Sequence, residues 1–423
     1  MIIHEPRVTT TGDEVRVESD VEVGRPVATV PPSLWFVFPR SFARFVGDGS
    51  DAFAAALLPL AMNLGEPLKV EGIVSYRLAA GIREYQRIQS SWKPELFREV
   101  EVECGGLRER ERGRSAGAVA ASFSGGVDSF HTLWAHLPEN DPYPPFRVTH
   151  CLMVNGFDDD SDLENTGSFR ALQRLYEPVM AAHGLELVTA RTNLLKFLGV
   201  GLRAQAFAAF LTAPALALGD LFSRFYLSAG ARVTDMGLFK DGSHLMLDHL
   251  LSTETMETSH EGAHLTRLEK TLAISRWPET YGRLRVCFHA TGVQEGIEAV
   301  ANCCTCEKCL RTMVTLELAG ALANYACFPR QLERRDIRRI DFASSRRDLF
   351  IPEIVAYAER VGRRDIARDL RVALFKSARI RAPIRRVVNA SFRMESRSRA
   401  YAAVASAGKR ALKRAGFGRG WLY

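Results

Sequence analysis

The chain has 423 residues, 47% of them hydrophobic and 25% charged, which is the composition of an ordinary globular protein with two or three domains. The longest apolar stretch, residues 206–219, contains Pro214 and is too short to cross a bilayer, and the first residues lack a signal-peptide core, so we expect a cytoplasmic protein. The net charge of +7 is uneven, because residues 374–423 carry 13 basic residues and one acid, or +12, which leaves −5 for the rest.

Residues 1–105 are predicted to form a separate N-terminal α+β module. Alternating or apolar patterns predict strands at residues 14–19, 35–38, 70–75 and 100–104. Residues 51–64 are predicted to form a helix with Asp51 as its N-cap. The charged, glycine-bearing residues 107–117 mark the end of this module.

Strands and helices alternate regularly after Ala118. Strands are predicted at residues 118–123, 148–155, 185–189 and 222–228, with helices between them. This alternation predicts an α/β fold, a doubly wound parallel sheet with helices on both faces. Ligands of such sheets bind beyond the carboxyl ends of the strands.

The hexapeptide Ser124-Gly-Gly-Val-Asp-Ser129 lies at such a strand end, just before a predicted helix. Its glycines allow a tight turn close to a ligand, and the N–H groups of a helix start attract an anion. Asp128 would repel a phosphate unless a divalent cation lay between them, so it suggests Mg²⁺. The pattern therefore predicts a phosphate cradle; the alternative is a turn that only joins a strand to a helix.

This hexapeptide resembles the PP-loop of the ATP pyrophosphatases, a superfamily with a Rossmann-like sheet. The resemblance implies that ATP is cleaved between its α and β phosphates, that a substrate oxygen is adenylylated, and that pyrophosphate stays in the loop. It also implies that residues 124–129, with Val127 among them, bind ATP. By position on the neighbouring strands, we expect Asn155 to meet the adenine and Gly230 to border the nucleotide.

Four of the eight cysteines lie within seven residues, which favours a metal site over disulfides in a chain without an export signal. Cys303, Cys306 and Cys309 are spaced so that their thiolates can converge on one zinc ion. Cys287, at the end of a predicted strand over residues 284–287, is the natural fourth ligand.

Alternatives to this zinc site remain open at this stage. Cys304 could replace Cys303, and His289 could replace Cys287. A redox pair or accidental cluster, or an iron–sulfur cluster, is also compatible with four nearby thiols.

A PP-loop followed by these thiols and by Gly230-Ala-Arg-Val-Thr-Asp235 is similar to 7-cyano-7-deazaguanine synthases. That family has a zinc site and converts a carboxylate to an amide and then to a nitrile. The chain departs from the family in the long gap between Cys287 and Cys303 and in residues 242–248, the segment expected to meet the acceptor. The resemblance thus implies shared activation chemistry and a different acceptor.

We therefore expect an ATP-dependent, AMP-forming carbon–nitrogen ligase that uses ATP, Mg²⁺ and Zn²⁺. It would adenylylate a small-molecule carboxylate or an amide oxygen, and ammonia or an amine would then displace AMP. The alternatives are a tRNA-modifying thiolase or amidotransferase and a non-catalytic nucleotide sensor. The substrate would be a small acid or a modified base, and a homodimer is allowed for.

The expected organisation is a PP-loop domain with the zinc site at residues 118–315, a helical region at 316–373 and a basic tail at 374–423. The tail can bind nucleic acid or an anionic surface, or form a solvated extension. The catalytic candidates are Asp128, Lys240 and Arg311. The acceptor-binding candidates are Asp235, Ser243, His244, Asp248 and Lys270.

Overall fold

The structure is a computed structural model, and it describes residues 1–24, 30–109, 115–157, 163, 167–238, 240–287, 293–294, 299–340 and 347–381. The chain divides into two compact units, Met1–Ala301 and Asn302–Tyr423. Most of the basic tail, residues 382–423, lies outside the described residues.

The first unit contains the strands and most of the helices. Its strands are β1 (Ile2–Ile3), β2 (Arg7–Thr11), β3 (Glu14–Glu22), β4 (Ser33–Pro39), β5 (Leu68–Ser75), β6 (Val102–Arg108), β7 (Ala118–Ser122), β8 (His150–Asn155), β9 (Glu186–Thr192), β10 (Phe222–Ser228), β11 (Glu257–Glu261), β12 (Val293–Gln294) and β13 (Ala299–Val300). Its helices are α1 (Asp51–Leu64), α2 (Tyr76–Trp92), α3 (Val127–Ala135), α4 (Gly167–Ala182), α5 (Leu194–Arg203), α6 (Phe207–Ala217) and α7 (Arg267–Ile274).

The second unit is helical where it is described, as predicted for residues after 307. Its helices are α8 (Glu307–Leu318), α9 (Arg334–Ile337), α10 (Arg347–Arg360) and α11 (Arg364–Lys376), and a π-helical segment, Ser377–Arg381, follows α11. Among the helices that the structure describes, none has both the length and the apolar character needed to cross a membrane.

Eleven strands form one mixed sheet in the order β11-β10-β7-β8-β9-β4-β3-β1-β5-β6, with β2 paired to β3. The strands from β11 to β9 are all parallel, and β4 is antiparallel to β9. The chain runs outward from β7 through β8 and β9, and then returns to the other side of β7 for β10 and β11. The sheet is mostly parallel and compatible with a Rossmann-like fold, and its strand order reverses between β7 and β10.

The N-terminal strands, predicted to belong to a module of residues 1–105, do not form a sheet of their own. β4 pairs with β9 at Phe36–Thr192 and Val37–Arg191, so these strands extend the same sheet, and the first unit runs to Ala301. The predicted boundary at residue 315 falls within α8, which lies in the second unit. Pairing between distant strands is decided by backbone hydrogen bonds, which leave no local signal in the composition.

The helix predicted over residues 51–64 is confirmed with the same bounds as α1. Its N-cap is Ser50 rather than Asp51, because the Asp51 carboxylate instead accepts a hydrogen bond from the Ser75 N–H at 2.7 Å. Gly65 ends the helix in the left-handed conformation at φ 66°. Almost all of α1 is buried, and it packs with the equally apolar α6 in the main core.

Candidate functional site

The predicted strand, turn and helix around residues 124–129 are confirmed. β7 ends at Ser122 and α3 begins at Val127, with Gly126 in an extended conformation as its N-cap. Gly125 has φ +73°, a conformation that glycine adopts without strain. The loop lies at the carboxyl end of β7, beside the point where the strand order reverses, which is where parallel sheets bind ligands.

The two serine hydroxyls brace this loop. Ser129 Oγ accepts a hydrogen bond from the Ser124 N–H at 3.3 Å and donates one to the Gly126 carbonyl at 3.1 Å. Ser124 Oγ accepts a longer one from the Gly126 N–H at 3.4 Å. From outside the loop, the Arg285 N–H donates to the Gly125 carbonyl at 2.7 Å. These bonds hold the backbone in the turned conformation.

Asp128 in the first turn of α3 forms an ion pair with Arg267, the first residue of α7. Its other oxygen, Oδ1, is buried and has no hydrogen-bond partner in the part of the chain that the structure describes. A buried carboxylate oxygen without a donor is costly unless a cation or water meets it. The site therefore has, among the described residues, an unpaired acceptor atom beside the loop at residues 124–129.

Lys270 lies one turn further along α7 and is 1% exposed. Its Nζ donates to the Ala229 carbonyl at 2.6 Å, just after β10. Burial lowers the pKa of Lys270, the Asp128 and Glu261 carboxylates oppose that effect, and Arg267 adds to it. Lys270 thus joins Asp128 at the carboxyl ends of β7 and β10.

Asn155 and Gly230 also lie at this edge of the sheet. Asn155 is the last residue of β8 and is buried, and Gly230 follows β10. The space beside the Gly230 Cα is open, since a methyl group there would meet no atom within 4 Å. Their predicted roles in ATP binding remain predictions.

The predicted acceptor loop is held by Asp248, which is 0% exposed. Its carboxylate accepts hydrogen bonds from Ser243 Oγ at 2.8 Å and from the His244 N–H at 2.9 Å, and His260 Nδ1 lies 2.7 Å from it. The His244 ring packs edge-on against Trp92. Asp248 therefore fixes the shape of the loop from inside, while acceptor binding by these residues stays a prediction.

The remaining polar candidates have different surroundings. Lys240 is exposed, and Asp235 is a half-buried residue whose carboxylate lies 4.0 Å from Arg232. Arg311, in α8 of the second unit, is buried; it pairs with Glu307 at 3.2 Å and lies over the Phe350 ring. The predicted catalytic roles of Lys240 and Arg311 stay predictions.

The four predicted thiols come together. The Sγ atoms of Cys287, Cys303, Cys306 and Cys309 all lie within 4.8 Å of one another. Cys309 Sγ is 3.8 Å from that of Cys303 and 3.5 Å from that of Cys306. Tetrahedral zinc with bonds of about 2.3 Å separates its sulfurs by roughly 3.8 Å, so the group can hold a metal such as zinc.

Local structure explains this convergence and excludes Cys304 from it. Cys306 is the N-cap of α8, where the helix dipole stabilises a thiolate, and its N–H donates to Cys303 Sγ at 3.3 Å. Cys304 has φ 54°, and its buried Sγ donates to the Asn302 carbonyl at 3.4 Å.

The strand predicted at residues 284–287 is wrong, because this segment is irregular. His289 lies outside the described residues.

No family model, curated protein or solved structure matches this chain.

Sequence reasoning left Arg267, His131 and Glu261 out of the site. A signal for Arg267 was present, because Thr266 and Glu269 form a capping box at the start of α7. That box places Arg267 and Lys270 on the first turn of a helix. His131 and Glu261 carried no local signal, since their proximity depends on tertiary packing such as that of α3 against α7.

Gly125→Ala is expected to destabilise the first unit by about 3 kcal/mol or more. The new methyl group would lie 1.9 Å from the Oη of Tyr176, which is fully buried and cannot yield, and the positive φ adds about 1–2 kcal/mol. Gly117→Ala is the matched control, since it has φ +78° and nothing within 4 Å. Urea unfolding measures both variants, and equal losses would contradict the close approach at Gly125.

Stability is expected to fall as the pH drops from about 6.5 towards 4, in part through His131. Burial, followed by the charge of Lys270, lowers the pKa of His131 to about 4; Asp128 and Glu261 oppose this effect, and His264 adds to it. Between these two pH values the unfolded chain binds a proton that the folded chain does not bind. The contribution of His131 to folding stability is therefore complete above pH 6.5 and is lost below it.

The difference between the ordinary pKa of 6.5 and the folded-state pKa of about 4 corresponds to about 3 kcal/mol of folding stability. His131→Gln should remove that part of the loss of stability at low pH. Urea unfolding at pH 7, 5.5 and 4.5 measures it. The exposed His249→Gln should follow the wild type. A His131→Gln curve parallel to that of the wild type would contradict the assignment.

Proposed function

We propose that this chain is an ATP-dependent, AMP-forming ligase that activates a carboxylate, or an amide oxygen, by adenylylation. The observation that carries the proposal is the loop at residues 124–129. It combines a positive φ at Gly125, a helix start at Val127 and a position where the strand order reverses. Backbone N–H groups at such a turn suit the phosphates of a nucleotide.

The second support is Asp128. It lies in the first turn of α3, where phosphates would approach, and one of its oxygens is buried without a donor among the described residues. Asp128 would hold Mg²⁺, whose charge neutralises the pyrophosphate when it is bound. The serine hydroxyls and the N–H groups of the loop would bind the phosphate oxygens.

The proposed chemistry uses no protein nucleophile. A substrate oxygen attacks the α-phosphorus of ATP, the bond between the α-phosphorus and the bridging oxygen breaks, and pyrophosphate leaves into the loop. Ammonia or an amine then attacks the activated carbon, loses a proton and displaces AMP. Negative charge grows on the α-phosphate in the first step, and Lys270 and Arg267 are cations already fixed beside the loop.

Zinc fits the four thiols by donor type, number and separation. We assign it a structural role: it would fix the segment from Cys303 to Cys309 at the start of α8. A closed four-thiolate site leaves no coordination position for a substrate, which is why we assign zinc a structural role. When it is bound, zinc supplies free energy that stabilises the folded turn.

A second candidate, a tRNA-modifying sulfur or nitrogen transferase, is favoured by the charge of the second unit. Residues 302–423 contain 27 basic and 11 acidic residues, a net charge of +16, so the first unit carries −9. The activation step is the same in both candidates, and the acceptor differs. A nucleotide sensor without activity remains the third candidate.

The test is a screen of carboxylic acids and of tRNA for ATP-dependent formation of AMP and pyrophosphate, with ATP–pyrophosphate exchange as the second readout. The proposed function predicts stoichiometric AMP and pyrophosphate with at least one acceptor. Formation of ADP and phosphate instead, or ATP binding without exchange for any acceptor, would refute the ligase proposal; the second result would favour the sensor.

A further inference from the structure

The outer face of α11 carries a row of cations on a single side of the helix. Arg364, Arg368, Arg371 and Phe375 fall within about 60° of one another at 100° per residue, and all four are exposed. The opposite side contains the apolar residues that pack into the second unit, Ile366, Ala367, Leu370 and Ala373. The row is therefore a surface, fixed in direction by the buried side of its own helix.

Two further exposed arginines lie on neighbouring α9. Arg334 and Arg338 both bind the buried Asp369 of α11, each with an Nε–Oδ distance of 2.7 Å. At 100° per residue Asp369 lies on a different side of α11 from the row, and both arginines share its carboxylate. We therefore call only Arg364, Arg368 and Arg371 the basic face.

The basic face is electrostatically costly as it stands. Within residues 302–340 and 347–381, Arg371 pairs with Glu359, whereas Arg364 and Arg368 have no ion-pair partner, and like charges four residues apart on a helix repel each other. Arg364 also lies at the N-terminal end of α11, where the helix dipole disfavours a cation, and Asp365 offsets this in part. An anionic partner would relieve both effects.

The composition of the row favours RNA over an anionic membrane. A membrane-surface helix inserts an apolar face, whereas the apolar side of α11 is already buried in the protein. Arginine forks match phosphate oxygens in pairs. Phe375 is 64% exposed within the row, where an aromatic ring can stack on an unpaired base, and RNA loops present such bases.

We propose that the basic face of α11, with Phe375, binds structured RNA through its phosphates and one unpaired base. The proposal is independent of the ligase proposal, because binding can be measured without ATP and without any acceptor.

The test is fluorescence anisotropy of the full chain with a labelled, tRNA-sized folded RNA at 50, 100 and 200 mM salt. The triple variant Arg364→Gln, Arg368→Gln and Arg371→Gln should bind at least about tenfold more weakly at 100 mM salt, and its salt slope should be smaller by about 2. Phe375→Ala should bind about 5–10-fold more weakly with an unchanged slope, because stacking releases no counterions.

The matched control removes the same charge from exposed positions of the first unit, Arg83→Gln, Arg87→Gln and Arg276→Gln. It should bind like the wild type, and no variant should melt far below the wild type, because the replaced side chains are exposed. Replacing the three arginines of α11 with Lys should retain the salt slope.

Equal weakening by the control triple variant would overturn the proposal, since it would show attraction to net charge alone. Equal affinity for a blunt DNA duplex would do the same, and so would binding to anionic vesicles without RNA binding.

Discussion

We expect Asp128→Asn to lower ATP-dependent AMP formation by at least about 100-fold at saturating Mg²⁺ and ATP. The amide keeps the size of the side chain but removes the charge that would hold a divalent cation beside the phosphates. The carboxylate lies in the first turn of α3, with one oxygen on Arg267 and the other buried. Magnesium-dependent ATP binding should weaken with it, whereas binding of ATP without magnesium should change little.

Loss of the ion pair alone must be separated from loss of the cation site. Asp128 and Arg267 are about one-fifth exposed, so the stability cost should lie between about 1 kcal/mol for exposed pairs and 3–5 kcal/mol for buried ones. Asp141→Asn is the matched control, because it also removes a largely buried carboxylate, paired with His136 at 2.8 Å near the end of α3. It should lose stability and keep turnover. Wild-type turnover in Asp128→Asn would refute the site.

The parts of the fold that could be predicted are those with a local signal. The strand before Ser124, the helix after it and the bounds of α1 all depend on patterns of a few neighbouring residues. The pairing of β4 with β9 could not be predicted, because it joins residues 36 and 192 through backbone groups that every residue has. The prediction of a separate N-terminal module did not include this pairing.

The same distinction applies to the candidate site. The thiol spacing was visible because three ligands lie within seven residues, and the structure resolves the choice between Cys303 and Cys304 through the backbone at Cys304. The pairing of Asp128 with Arg267 was missed because α7 is more than 130 residues further along the chain. Asp248 was predicted to face a ligand, but its burial depends on three donors that only the folded loop brings together.

Cys306→Ser is expected to abolish stoichiometric zinc binding, from about one zinc per chain in the wild type to a small fraction. Cys306 contributes a thiolate at the start of α8, and the other three thiolates alone leave the tetrahedral site one ligand short. Serine is a much poorer zinc ligand at neutral pH. Inductively coupled plasma mass spectrometry on protein purified without a histidine tag measures the metal.

Cys304→Ser is the matched control, since it removes a thiol from the same turn but lies outside the group of four. It should retain zinc and respond to a chelator like the wild type. Cys287→Ser also leaves three thiolates, so it should lose zinc as Cys306→Ser does. Iron in the wild-type protein, together with visible absorbance, would indicate an iron–sulfur cluster instead of a zinc site. Absence of any metal in the wild type, or equal loss in Cys304→Ser, would refute the metal site.

The melting temperature gives a readout that does not depend on catalysis. A closed structural zinc site contributes directly to folding, so chelation should lower the melting temperature of wild type and Cys304→Ser alike and leave Cys306→Ser unchanged. That pattern separates zinc loss from simple damage by the substitution, because damage would add to the effect of the chelator. A Cys306→Ser variant that is still destabilised by EDTA would show that zinc is held without this thiolate, and the assignment of its ligands would fail.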